Sequence, residues 1–130
     1  MRIAILGSGN MGGTLGRLFA TAGHSVAFSF SRDRAKLERL ARQSGPRTKA
    51  ATPREAAASA EVVLLSVLWA QMPAVLKAAG TLRGKTVIDC TNPMTPADDD
   101  STSAASRWAR AITSCRAPAR RAPRVVRAKT

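Results

Sequence analysis

The opening stretch, MRIAILGSGNMGGTLGRLFATA, leaves this chain few folds to choose from. An apolar run, Ile3-Ala4-Ile5-Leu6, passes directly into Gly7-Ser8-Gly9-Asn10-Met11-Gly12. Apolar residues then recur at helical spacing, as Met11, Leu15, Leu18, Phe19 and Ala22. Strand, glycine turn and helix in that order form the first unit of an open parallel α/β sheet that binds dinucleotides. Gly7 allows the tight turn out of the strand, and Gly12 lets the helix sit close to it. Gly9 leaves the main chain bare where a pyrophosphate would approach. The start of the helix turns free N–H groups and a positive dipole end toward the same place.

The following residues continue the alternation. Gly23 caps the first helix, and Ser25 to Phe30 (SVAFSF) alternates Val26, Phe28 and Phe30 with small residues, which predicts a second strand. Asp33 can cap a helix running to about Gln43, and Ser44-Gly45-Pro46 ends it. Arg47 to Ala51 is a short edge strand by position. Thr52, Pro53 and Glu55 supply an N-cap, a first-turn proline and an acidic first turn for a brief helix to Ala60. Val62 to Val67 is nearly continuous apolar sequence, as in a strand buried on both faces. A helix over Ala70 to Ala79 and a strand over Lys85 to Asp89 complete the pattern. The sum is a Rossmann-like α/β fold, an open parallel sheet with helices on both faces. Ligands of such sheets bind at the carboxyl ends of the strands, here Gly7–Gly12, Ser29–Arg32, Ser66–Trp69 and Thr91–Asn92.

The end of the second strand indicates which dinucleotide. NAD-binding members of this architecture place a carboxylate there for the ribose 2′-hydroxyl. This chain reads Phe30-Ser31-Arg32, and the first carboxylate, Asp33, serves better as a helix cap. Ser31 offers a hydroxyl, Arg32 a planar cationic fork, and Lys36 a further charge one helical turn on. That set favours the 2′-phosphate of NADP(H). The competing reading is a solvated basic face at the start of a surface helix.

Charge divides the chain in two. Residues 1–100 hold 13 Lys/Arg and 8 Asp/Glu, a net of +5, whereas residues 101–130 hold 8 Lys/Arg and no acid, a net of +8. The body, residues 1–96, is thus an ordinary domain, and residues 97–130 form a basic tail rich in Arg, Ala and Pro, expected to be disordered. The tail is either a basic arm for nucleic acid or an acidic partner, or the out-of-frame end of a GC-rich gene. Its composition favours the second, so nucleic-acid binding is not the expected function. A weak helix over Ala104 to Cys115 is conceivable, and Arg124-Val125-Val126-Arg127-Ala128 faintly resembles one more strand. No apolar run is long enough to span a membrane and no signal peptide opens the chain, so a cytoplasmic location is expected. Cys90 and Cys115 show no metal spacing, and no metal is expected. The single histidine, His24, lies in a turn.

The segments MRIAILGSGNMGGTLGRLFATAGHSV, SRD, EVVLLSV and KTVIDCTNPM, in that order, resemble the F420-dependent NADP oxidoreductase family over about residues 1–95. The resemblance implies that Ser8, Gly9, Asn10 and Met11, in the cofactor-binding turn from Gly7 to Gly12, hold the pyrophosphate and that Ser31, Arg32 and Lys36 hold the 2′-phosphate. It also implies that the loop Ser66, Val67, Leu68, extending to Trp69, passes beside the nicotinamide and its ribose; Asn92, at the end of the last strand, is a further cofactor-binding candidate. The reaction implied is hydride transfer between NADPH and coenzyme F420, without a catalytic acid or base. Two departures accompany it. Relatives commonly carry proline where Leu68 stands, and they continue into a further strand and a segment that completes the deazaflavin pocket and a homodimer. A non-catalytic NADP-binding module is therefore the alternative expectation.

Overall fold

The apolar runs become strands and the amphipathic stretches between them become helices. The computed structural model describes residues 1–91 and the backbone of residues 124–127. The elements are β1 (Arg2–Leu6), α1 (Asn10–Thr21), β2 (Ser25–Ser29), α2 (Arg34–Ser44), β3 (Thr48–Ala50), α3 (Pro53–Ser59), β4 (Val62–Leu65), α4 (Met72–Ala79), β5 (Thr86–Asp89) and β6 (Arg124–Arg127). A short 3-10 turn, Trp69–Gln71, leads into α4. All strand pairs are parallel, in the order β3-β2-β1-β4-β5-β6. The chain runs outward from β1 to β3, then restarts at β4 on the other side of β1. The switch point between β1 and β4 is where such sheets open a ligand crevice.

Local signals account for the helix ends. Asp33 caps α2 by accepting from the Lys36 N–H at 3.0 Å. Thr52 and Glu55 form a reciprocal capping box on α3, with Pro53 in the first turn. Gly23, Gly45 and Gly80 follow helices with positive φ.

The sheet is buried on both sides. Ile3, Ile5, Val26, Phe28 and Leu64 meet Leu37, Leu40 and Ala41 of α2 on one face. Ala4, Leu6, Val63, Leu65 and Val87 meet Ala56 and Ala57 of α3 and Met72, Val75 and Ala79 of α4 on the other. Helix α1 departs from the sequence reading. Its apolar spacing predicts burial of Met11 and Leu18, yet these are 50% and 60% exposed, while its buried residues are Gly12, Gly13 and Gly16. A methyl group on Gly16 would overlap the Phe28 ring. The helix therefore meets the sheet along its glycine edge, with Leu15 and Phe19 half-buried at the flanks.

One further strand is present in the basic tail: β6 pairs in parallel with β5, from Thr86↔Arg124 to Asp89↔Arg127. This is where the sequence faintly resembled another strand. The expected disorder of the rest of the tail, the weak helix over Ala104 to Cys115 and the site assignment of Asn92 lie outside the described residues.

Candidate functional site

The sheet register brings the strand ends level. Leu6 is opposite Ser29 and Leu65, and Leu65 is opposite Asp89. The loops beginning at Gly7, Phe30, Ser66 and Cys90 consequently leave the sheet along one edge. They enclose a cleft of about 990 Å³ lined by residues of all four.

The turn at Gly7 is locked from both neighbouring strands. The Gly7 N–H and the Ser8 hydroxyl both donate to the Ser29 carbonyl, at 3.0 and 3.1 Å. From the other side, the Ser66 hydroxyl donates to the Gly7 carbonyl at 2.7 Å. Gly7 has φ +107°, a conformation that side-chain-bearing residues resist. Gly12 is needed for approach: a methyl there would overlap the Gly7 carbonyl oxygen and the Ser66 hydroxyl. Gly9, in contrast, has no atom within 4 Å of where its Cβ would stand, so the space beside it is open. It is also the N-cap of α1, with no side-chain cap and no acid in the first turn. The first intrahelical bond is Gly13 N–H to Gly9 carbonyl, at 2.8 Å, which leaves the N–H groups of Asn10, Met11 and Gly12 ahead of it for a ligand.

The opposite end of the cleft is cationic. Phe30, Ser31, Arg32, Asp33 and Lys36 line it. The Ser31 hydroxyl donates to the Asp33 carbonyl at 3.1 Å and accepts from the Asp33 N–H at 3.3 Å, which folds the turn back on itself. Among the described residues, neither the Arg32 guanidinium nor the Lys36 ammonium has a hydrogen-bond or ion-pair partner. Nearby Arg34 differs, pairing with Glu38 at 3.1 Å.

Ser66, Val67, Leu68 and Trp69 form the third wall. Val67 is buried and Leu68 is 71% exposed. Leu68 stands at φ −61°, the value a proline would impose, so the loop keeps that backbone without the ring. Cys90 also lines the cleft, and burial, then the charge of Asp89, push its thiol above the ordinary 9.0. It stays protonated at neutral pH. Among the described residues, no cluster of three or more His, Cys, Asp or Glu could hold a metal ion, and no helix is long and apolar enough to cross a membrane.

Of the sequence-predicted residues, Gly7, Ser8, Gly9, Asn10, Met11, Ser31, Arg32, Lys36, Ser66, Val67 and Leu68 meet in this one cleft. Gly12 is buried beside the cleft, its Cα face packed against the Gly7 carbonyl and the Ser66 hydroxyl and its N–H at the helix start. Of the other lining residues, sequence reasoning had Phe30 only as part of the second strand and its Ser29–Arg32 end, and it placed Ala70 and Gln71 inside a helix.

Residues 2–93 match the model of the coenzyme F420-dependent NADP oxidoreductases. The chain belongs to that family. Among solved structures it is similar to a protein from Arthrobacter sp. FB24 assigned as an F420-dependent NADP-reductase, with a TM-score of 0.77 and 27% identity over 98% of this chain and 61% of the other. It is also similar to a reductive aminase from Aspergillus terreus solved with NADPH and ethyl levulinate, at TM-score 0.66 and 31% identity over 84% of this chain and 35% of that one. An imine reductase from Myxococcus stipitatus solved with NADP+ gives TM-score 0.67 and 26% identity, over 85% and 37%. The chain thus spans 61% of the first of these relatives and little more than a third of the other two. No curated protein matches it.

Proposed function

We propose that the cleft is an NADP(H) site and that it serves hydride transfer between NADPH and an acceptor, with coenzyme F420 as that acceptor. One observation carries the reading: two cations without partners among the described residues, Arg32 and Lys36, line the same cleft as an uncapped helix N-terminus. The two features are the anion sites that a pyrophosphate and a separate 2′-phosphate require. The family match and the NADPH and NADP+ complexes of the reductive aminase and imine reductase support it.

In this reading the N–H groups of Asn10, Met11 and Gly12 hold the pyrophosphate over the open space at Gly9. Ser31, Arg32 and Lys36 hold the 2′-phosphate. Ser66, Val67 and Leu68 flank the nicotinamide half. NADPH supplies the hydride when bound. The chain's own task is alignment and exclusion of water, since hydride transfer depends on the placing of donor and acceptor more than on a proton relay. Among the described residues, the cleft lining holds neither histidine nor tyrosine.

A second acceptor class, an imine or its parent carbonyl, is favoured by the 31% identity to the reductive aminase. Fluorescence titration with NADPH and NADH tests the cofactor, and the expected result is tighter binding of NADPH; equal affinity would sink the assignment of Ser31, Arg32 and Lys36. Turnover of NADPH against F420 and, separately, a cyclic imine distinguishes the acceptors. Tight binding without turnover in either assay points to a binding module.

A further inference from the structure

Successive side chains of a strand alternate across the sheet, so Val26, Phe28 and Phe30 should all face the same layer. Val26 and Phe28 do, buried in the α2 layer. Phe30 packs instead against the opposite layer, the one holding Ala27, Ala56 and Met72, and from there it lines the cleft. The backbone makes the switch. Phe30 has φ +57°, and among the described residues it is the one non-glycine with positive φ. Glycine would take this conformation without strain, whereas a large side chain resists it. Strain of this kind collects at ligand sites, where a side chain is held against its own preference.

The position of Phe30 gives that strain a purpose. It directly precedes Ser31 and Arg32, which line the cationic end of the cleft with it. In a dinucleotide bearing a 2′-phosphate, the adenine is attached to the adjacent carbon of the same ribose. A 2′-phosphate held at Arg32 therefore brings the base against the residues flanking that turn. Phe30 is the aromatic residue among them, and it is half-buried, with its remaining surface in the cleft.

We propose that Phe30 is the adenine platform of the site, its left-handed backbone serving to carry the ring from the core into the cleft wall. The proposal rests on the NADP(H) reading above. Calorimetric titration with adenosine 2′,5′-bisphosphate and, separately, inorganic pyrophosphate tests it, with melting curves for every variant. Loss of base stacking in Phe30→Leu should weaken adenosine 2′,5′-bisphosphate roughly tenfold, leave pyrophosphate unchanged, and be rescued in Phe30→Tyr. Phe30→Gly should lose the same affinity although its backbone relaxes. In the wild-type protein, nuclear Overhauser contacts should link the adenine protons to one of the three phenylalanine rings, assigned to Phe30. The NMR result stands even if a variant fails to fold. Wild-type affinity in a folded Phe30→Leu, or no contact at saturation, overturns the platform and leaves the cofactor reading intact. A wild-type protein that binds neither NADPH nor adenosine 2′,5′-bisphosphate overturns both.

Discussion

The Ser66 hydroxyl donates to the Gly7 carbonyl at 2.7 Å, joining the end of β4 to the turn after β1 across 59 positions of sequence. The Ser66 N–H adds a bond to the Leu6 carbonyl at 2.9 Å. Ser66 thus ties the end of β4 to β1 and to the Gly7 turn at the switch point. Ser66→Ala removes the hydroxyl bond and leaves a carbonyl without its partner, so it should cost about 1 kcal/mol. The melting midpoint should fall by about 5 °C. NADPH affinity should fall with it, because the turn that presents the helix N–H groups is no longer held. An unchanged melting curve would show the bond to be inconsequential.

Gly9 and Gly12 separate binding from folding. A methyl on Gly12 meets the Gly7 carbonyl and the Ser66 hydroxyl, and one on Gly9 meets nothing. Gly12→Ala should destabilise the protein by about 2 kcal/mol or more through overpacking. Gly9→Ala, at an ordinary φ of −74°, should stay within about 1 kcal/mol of wild type. It should nevertheless bind NADPH at least tenfold more weakly, by placing a methyl where the pyrophosphate is proposed to lie. Calorimetry for stability and titration for affinity read the two effects independently.

Arg32→Ala should lower NADPH affinity by about 10- to 100-fold, the range for loss of a charge-assisted hydrogen bond, and leave NADH affinity unchanged. Lys36→Ala should act in the same direction by less, since an ammonium is a point charge without the guanidinium fork. Added salt should narrow the NADPH preference of the wild-type protein, because the cleft is open to solvent. Equal losses for both cofactors would place Arg32 elsewhere than at the 2′-phosphate.

Two carboxylates set the acid response. Glu55 is held below the usual 4.5 by the Thr52 N–H and then the Thr52 hydroxyl, at 2.9 and 2.7 Å. Glu61 is held below it by the Arg2 N–H at 2.8 Å, with the Arg2 charge adding to this. A carboxyl that is more acidic folded than unfolded binds fewer protons in the folded state. Its contribution is therefore present above pH 4.5 and lost as pH falls through the lowered folded values. Melting curves taken down from neutral pH should show a decline below that point, shallower in Glu55→Gln and Glu61→Gln. Parallel curves for wild type and variants would contradict the assignment. NADPH binding at neutral pH should be unaffected, as neither residue lines the cleft.

Most elements were legible because their signals are local. Asp33 and the Thr52–Glu55 box mark helix starts within one turn of chain, and each forms as the spacing predicts. The edge strand at β3 followed from its place between two helices despite a poor composition. The inward face of α1 was not legible. Hydropathy registers Met11 and Leu18, but contact with the sheet is made by Gly12 and Gly16, and with Leu40 of α2 by Gly13, residues with no side chain to register.

By itself the sequence determined the order of strands and helices, the glycine turn and the cationic stretch after β2, since each is written in neighbouring residues. The tertiary structure alone decided which surfaces those pieces present. It joined Ser66 to Gly7, gave the glycine edge of α1 to the sheet, and turned Phe30 to the face opposite Phe28. Contacts between distant residues and a single left-handed φ have no periodicity, so they are settled only when the strands pack side by side.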